Sequence, residues 1–296
     1  MSPRARKLLH LVLPLAISLA LLVWLATHIN ISSSFALIGT LPPHLFLGAL
    51  LSAFLCYFFS SLRFWLLTKP LWPLSLPAAL GLNLLTILSA HGVGLLSDGL
   101  RVRALMLRGA SLRQAVDFAL ADRILTLWLL LLCSALLFPC AVPKISFAFA
   151  LAIVFTVIML FGAWLCNRTF WPGWLQPCLS AFATAISSPA RLGTQLAATL
   201  MCCIAIGIAF KLLAVAFGFS LPLYIAIAFA PLAILASSIP FTYAGLGTRE
   251  AAFALGLPLL AAITPEQATA LSLSFAALTL ICSTAGLLFL PKLIRP

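Results

Sequence analysis

Asp117, Asp122 and Arg123 fall inside an apolar run at 113–138. Arg123 stands about ten residues in, roughly 15 Å along a helix that rises 1.5 Å per residue. Ionisable side chains so placed either neutralise one another while helices pack, or line an internal polar cavity. In the second case Arg123 is an anion ligand, with Asp117 or Asp122 as counter-charge or proton carrier. Arg63 and Lys211 also sit inside apolar segments, about five residues from the inner end of one and about six from the outer end of the other. Their stems are long enough to snorkel to an interface, and the pair offers one cation near each leaflet. Arg101 and Arg249 each close a stretch of helix breakers. The first contains Gly92 and Gly94, the second Pro240, Gly245 and Gly247. A guanidinium pairs bidentately with phosphate and keeps its charge at depth, and glycines beside it let backbone N–H groups approach an anion. Tight turning explains the same glycines. Arg249 is the better candidate of the two, having Glu250 adjacent and little other charge nearby. His91 is a proton site or a satisfied histidine of its turn.

The elements that must hold these groups follow from composition. The chain has 296 residues, 64% apolar and 7% charged, with a mean hydropathy of +1.21. A soluble domain carries about 25% charged residues, so soluble readings are excluded. At about 20 residues per span, the length admits at most some ten helices. No polar stretch is long enough for an extramembrane catalytic domain. The expected class is all-α and polytopic, a single transmembrane domain over 1–296. Apolar segments read at about 8–29, 44–68, 75–96, 113–138, 145–166, 194–217, 222–240 and 266–290, with a shorter stretch at 250–262.

Seventeen Lys and Arg against five Asp and Glu leave a formal charge of +12. The basic residues are scattered among short loops, which argues against nucleic acid as a partner. The positive-inside rule accounts for most of the excess, and anionic lipid headgroups are the local partner for the rest. The eight cysteines show neither CxxC nor Cys/His spacing and read as small hydrophobes. No metal or other cofactor is implied. The basic start at Arg4, Arg6 and Lys7 leads into an apolar run too long for a signal peptide, so it reads as a retained first helix.

Those first residues place the N-terminus in the cytoplasm, and the 30–43 connection outside. If all eight segments cross, Arg101, Arg103, Arg108 and Arg113 land outside, against the rule. If the third and seventh segments dip in and return, these arginines stay inside, together with Arg168, Arg191, Lys292 and Arg295. The expectation is therefore six spans plus two re-entrant hairpins with both termini cytoplasmic; the alternative is eight spans. An internal repeat supports the first. Residues 89–101 and 237–249 align at an offset of 148, which also lays Arg63 on Lys211, 44–68 on 192–216 and 113–138 on 261–286. Repeat units at about 44–138 and 192–286, each a span, a hairpin and a span, are then inverted. Many secondary transporters build a site this way.

Asp98-Gly99, Arg103, Gly109, Asp117 and Asp122 superficially resemble the signature of CDP-alcohol phosphotransferases. That family needs its last two aspartates four apart on one helix face; here they are five apart. Phosphate-loop, HExxH and GxSxG patterns are also missing. No enzymatic activity is expected.

Leu82-Asn83 through Ser97-Asp98-Gly99-Leu100-Arg101, Arg108-Gly109-Ala110-Ser111, Ala121-Asp122-Arg123 and Ile239-Pro240 through Gly245-Leu246-Gly247-Thr248-Arg249-Glu250 together resemble one family. It is the flippase-type transmembrane domain of lysylphosphatidylglycerol synthases, found also in stand-alone bacterial inner-membrane proteins. The likeness runs from about 10 to 290. It implies movement of a phospholipid between leaflets. The chain stops six residues after its last apolar segment, so the soluble synthase domain and its aminoacyl transfer are not expected here. Two departures stand out: His91-Gly92 replaces the usual proline-glycine pair, and Leu271 stands where symmetry with Arg123 would ask for a basic residue.

The expected function is a flippase-like transporter of an anionic phospholipid or a polyprenyl-phosphate-type lipid. Its headgroup site is drawn from Arg101, Asp122, Arg123, Arg249 and Glu250, supported by Arg63, Lys211, Asp117, Gly92, Gly94, Gly245 and Gly247. The rival expectation is a non-catalytic accessory subunit that anchors a lipid- or glycan-modifying enzyme through the basic 97–113 loop.

Overall fold

A computed structural model describes residues 3–92, 97–141, 156, 188–238 and 245–289. The expected segment at 145–166 apart from residue 156, Gly94 and the basic residues Arg168, Lys292 and Arg295 lie outside these. The described residues with regular structure are helical.

Helix α1 (Pro3–His28) bends through 87° into the short α2 (Ile31–Gly39). Asn30 caps α2, its side chain accepting from the N–H of Ser33, so the 30–43 connection is itself partly helical. Then follow α3 (Pro43–Thr68), α4 (Leu76–Gly92), α5 (Ser97–Met106) and α6 (Leu112–Ala141). The second half holds α7 (Pro189–Ala216), α8 (Leu223–Ser237), α9 (Thr248–Leu260) and α10 (Pro265–Thr284), ending in a 3₁₀ turn at Ala285–Phe289. Proline opens α3, α7 and α10, where its missing N–H costs nothing. Ser188 caps α7, and Thr264 with Gln267 forms a reciprocal capping box on α10.

Among the described residues, α3, α6, α7 and α10 are long and apolar enough to cross a membrane, and the bent α1–α2 pair is a fifth candidate. The chain is a multi-pass membrane protein. The apolar helices α4 and α8 have 17 and 15 residues, short of the roughly 20 that a crossing requires.

These short helices fold back on themselves. Thr248 Oγ1 at the start of α9 donates to Ala236 O near the end of α8, at 2.9 Å. Farther from the break the Phe229 and Phe253 rings meet edge to face at 5.0 Å, and Gly256 faces Phe229. Contacts that step outward symmetrically from residues 239–244 define an antiparallel helical hairpin. Its return needs left-handed backbone at Gly245 (φ 73°) and Gly247 (φ 87°), a conformation glycine adopts without a side-chain clash. Gly247 also backs onto Leu21 and Ser18 O of α1. Those residues lie seven to ten short of the C-terminal end of α1, so the turn sits roughly 10–15 Å along that helix from its end. Helix α5 returns beside α4 in the same manner, with Leu82, Leu85, Ala104 and Leu105 in one core cluster.

At the centre α3 and α7 run antiparallel. Ser52 Oγ donates to Ala205 O (2.6 Å), Cys202 Sγ to Cys56 O (3.3 Å) and Gln195 Nε2 to Arg63 O (3.4 Å). Other packings come in matched pairs: α3 on α4 and α7 on α8, α5 on α6 and α9 on α10, α6 on α8 and α10 on α4. The main core is built on α7, where Phe210 meets Phe253 and Phe275 edge to face at 5.2 Å each. Cys56, Cys133, Cys202, Cys203 and Cys282 are buried free thiols, filling space as small apolar groups do.

Candidate functional site

Asp122 on α6 is 1% exposed and holds two arginines from different helices. Arg101 Nη1 on α5 lies 2.7 Å from Oδ2, and Arg63 Nη2 on α3 lies 3.1 Å from Oδ1. The hairpin places Arg101 there, because its return carries α5 alongside both α4 and α6. Arg101 Nη2 also donates to Asn83 Oδ1 of α4 at 2.8 Å, and Asn83 Nδ2 donates to Ser61 Oγ of α3 at 3.1 Å. Arg63 donates to Thr126 Oγ1, and that hydroxyl donates to Asp122 O. The Phe64 ring lies 5.1 Å from the Arg101 guanidinium carbon, within cation–π range. Four helices therefore converge on one carboxylate.

The donors are not all used. Among the described residues, Arg63 Nη1 and Arg101 Nε are buried without a hydrogen-bond partner, as are the carbonyl oxygen of Gln195 and Asp122 Oδ1, which meets Arg63 as an ion pair only. Arg63 is only 5% exposed, so it does not snorkel. It turns inward because Asp122 is there to receive it.

Arg123 faces another way. Its guanidinium pairs with Asp98, Nη2 to Oδ2 at 3.0 Å and Nε to Oδ2 at 3.1 Å, and the two side chains are 40% and 38% exposed. Successive residues on a helix diverge by about 100°, so Asp122 and Arg123 cannot serve the same space. The two pairings are carried side by side, since Asp122 and Arg123 are consecutive on α6, and together the five groups make one charged set. The exposure of its arginines falls from 40% at Arg123 to 12% at Arg101 and 5% at Arg63. Asp117 stands apart, 3.9 Å from Arg113 one turn earlier on α6.

A second buried pair closes the α8–α9 hairpin. Arg249 is 3% exposed, and its Nη2 and Nε lie 2.6 and 3.0 Å from Glu250 Oε1. Ser272 Oγ of α10 donates to the same oxygen at 3.3 Å, while the Gly247 N–H donates to Oε2 at 2.7 Å. Glu250 thus ties the left-handed turn to the first turn of α9. The counter-charge of Arg249 is its own neighbour, whereas that of Arg101 comes from a different helix. Lys211 is half-buried on α7, and none of the chain's five carboxylates pairs with it.

The structure joins Arg63, Arg101 and Asp122, and separately joins Arg249, Glu250 and Gly247. It leaves Arg123, Asp117 and Lys211 outside both buried clusters, and Gly92 ends α4, while Gly94 lies outside the described residues. Sequence reasoning missed Ser61, Thr126, Gln195 and Ser272, and it named Asn83 only within the resemblance motif, without a role. Uncharged polar residues in an apolar segment commonly satisfy their own i−4 carbonyl, as Thr126 does, and carry no distinguishing signal. Asp98 was visible in a motif, but only the fold aims it at Arg123. Along α9 an apolar groove of about 460 Å³ is walled by Leu21, Ala236, Thr248, Ala251, Leu255 and Gly256, one residue away from Arg249. Among the described residues, no cluster of His, Cys, Asp and Glu has the form of a metal site.

Neither the curated proteins nor the solved structures contain a match to the chain. A family model does match, that of the lysylphosphatidylglycerol synthase TM region, over residues 11–286. With nearly its whole length covered, the chain belongs to the family of the lysylphosphatidylglycerol synthase transmembrane region.

Proposed function

We propose that the protein moves an anionic lipid between leaflets, either a phospholipid or a lipid-linked phosphate of the polyprenyl type. The observation that carries this reading is the Arg63–Asp122–Arg101 cluster, two buried guanidinium groups sharing one carboxylate and keeping unpartnered N–H groups. Burying such donors without an acceptor is costly, and a headgroup phosphate is the acceptor a bilayer offers in quantity. The graded exposure from Arg123 inward supports a route for that headgroup. The groove along α9 is the right chemistry for an acyl chain. Phosphoryl and acyl transfer are not part of this reading, and no cofactor is needed for it.

The paired packings support two units of span, hairpin and span, at about 44–138 and 192–286, related by inversion. In that reading α4–α5 and α8–α9 enter from opposite faces, and both termini lie in the cytoplasm of a bacterial inner membrane. A second reading, an anchor for a lipid- or glycan-modifying enzyme, is favoured by the corner between α5 and α6. There Arg103 and Arg113 are exposed next to Leu112 and Val116.

Reconstituted liposomes with tail-labelled fluorescent lipids separate the two. Transport predicts leaflet exchange well above protein-free vesicles and its loss in Arg101→Gln. Equal exchange in wild type and Arg101→Gln refutes the site. Loss of function on charge reversal at Arg103 and Arg113, with exchange intact, favours the anchor.

A further inference from the structure

We infer that the buried site selects a phosphodiester headgroup of net charge −1, against both phosphomonoester or diphosphate lipids and zwitterionic ones. This rests on the transport reading above and narrows its substrate. The basis is charge. Arg63, Arg101 and Arg123 face Asp122 and Asp98, so three guanidinium groups stand against two carboxylates and the network carries a net +1. Arginine does not relieve this by losing its proton. The second buried pair, Arg249 with Glu250, is neutral and leaves the count unchanged.

The excess charge has a location. Asp98 is committed to Arg123 at the more exposed end. The unmatched positive charge therefore belongs to Arg63 and Arg101, the two arginines that share Asp122. Those are also the two with buried, unpartnered nitrogens, Arg63 Nη1 and Arg101 Nε, two donors against one unpartnered carboxylate oxygen, Asp122 Oδ1. Charge excess and spare donors coincide on one pair of side chains, 5% and 12% exposed.

A single negative charge delivered there neutralises the network. A phosphomonoester brings close to two charges above its second pKa of about 6, and a diphosphate more, leaving an uncompensated anion in a buried setting. A zwitterionic headgroup brings no net charge and leaves the +1 in place. A phosphodiester oxygen pair is also suited to donors that arrive from two separate arginines.

The test uses the full chain in phosphatidylcholine liposomes at pH 8, with tail-labelled phosphatidylglycerol, phosphatidic acid and phosphatidylcholine at trace level. Leaflet exchange is read by dithionite quenching. Phosphatidylglycerol is expected to exchange at least tenfold faster than either of the others. Phosphatidic acid or phosphatidylcholine exchanging as fast as phosphatidylglycerol overturns the selection while leaving transport standing. No exchange of any probe above protein-free vesicles overturns the transport reading itself. The wild-type comparison needs no variant. Asp122→Asn raises the network to +2 and is expected to shift the preference toward phosphatidic acid; an unchanged ranking in that folded variant counts against the charge argument.

Discussion

The Asp122 carboxylate lies 2.7 Å from the Arg101 guanidinium, although the two come from opposite ends of the α5–α6 corner, 21 residues apart. The pair exists only because the chain reverses after α4. A straight α4–α5 rod would carry Arg101 away from Asp122 and leave the carboxylate to Arg63 alone. The hairpin and the charged cluster are one structure.

Removing the shared carboxylate is therefore expected to be severe. Asp122→Ala leaves two buried cations unpaired, a loss of about 3–5 kcal/mol, read as a large drop in the thermal midpoint of the detergent-solubilised protein. Arg63→Met combined with Asp122→Asn removes one charge of each sign and is expected to recover much of that loss. A double variant no more stable than Asp122→Ala contradicts the pairing.

The outer pair should behave differently. Arg123→Ala breaks an ion pair that is about 40% exposed on each side, and such pairs contribute about 0–1 kcal/mol. Thermal unfolding should barely move, and raising the salt should shrink the difference further. A fall comparable to that of Asp122→Ala places Arg123 in the buried network after all.

Glycine substitutions divide by position. Gly247→Ala needs a left-handed backbone with a Cβ and sets that carbon 2.6 Å from Leu21 Cβ. Gly207→Ala meets Ile227 backbone at 2.6 Å. Both are expected to destabilise by more than about 1 kcal/mol. Gly193→Ala and Gly99→Ala lie in helices with open space around them, and each is expected to stabilise by roughly 0.5–1 kcal/mol. Melting curves of the four variants decide it.

Glu250 has two jobs that substitution can separate. Glu250→Gln keeps an acceptor for the Gly247 N–H but loses the ion pair with Arg249; Glu250→Ala loses both. Alanine should be the worse by about 1 kcal/mol, the contribution of a lost helix cap. Equal midpoints for the two variants mean the tie to the turn is energetically idle.

How much of this was legible in the sequence depends on the kind of signal. Apolar length and the clustering of Gly and Pro pointed to all-α membrane architecture and to breaks at 91–94 and 240–247, because backbone and bilayer impose those locally. The site was half legible. Arg101, Asp122, Arg249 and Glu250 were named for their charge at depth; the last three are buried and Arg101 is 12% exposed. Arg63 read equally well as a snorkelling residue; only the Asp122 carboxylate reaching across from α6 draws it inward. Arg123 looked like the deeper ligand because it stood ten residues into its segment, yet depth along a helix says nothing about which way a side chain faces. That depends on neighbours distant in sequence, as with Gln195 and Arg63.

The antiparallel seam between α3 and α7 sets a clock on biogenesis. Ser52 and its acceptor Ala205 are separated by 153 residues. At roughly 5–20 residues per second of synthesis, the partner helix emerges about 8–30 s later. Through that interval the surface of α3 that bears Ser52, Cys56 and Arg63 must be shielded by lipid or by the insertion machinery, since its permanent cover has yet to be made.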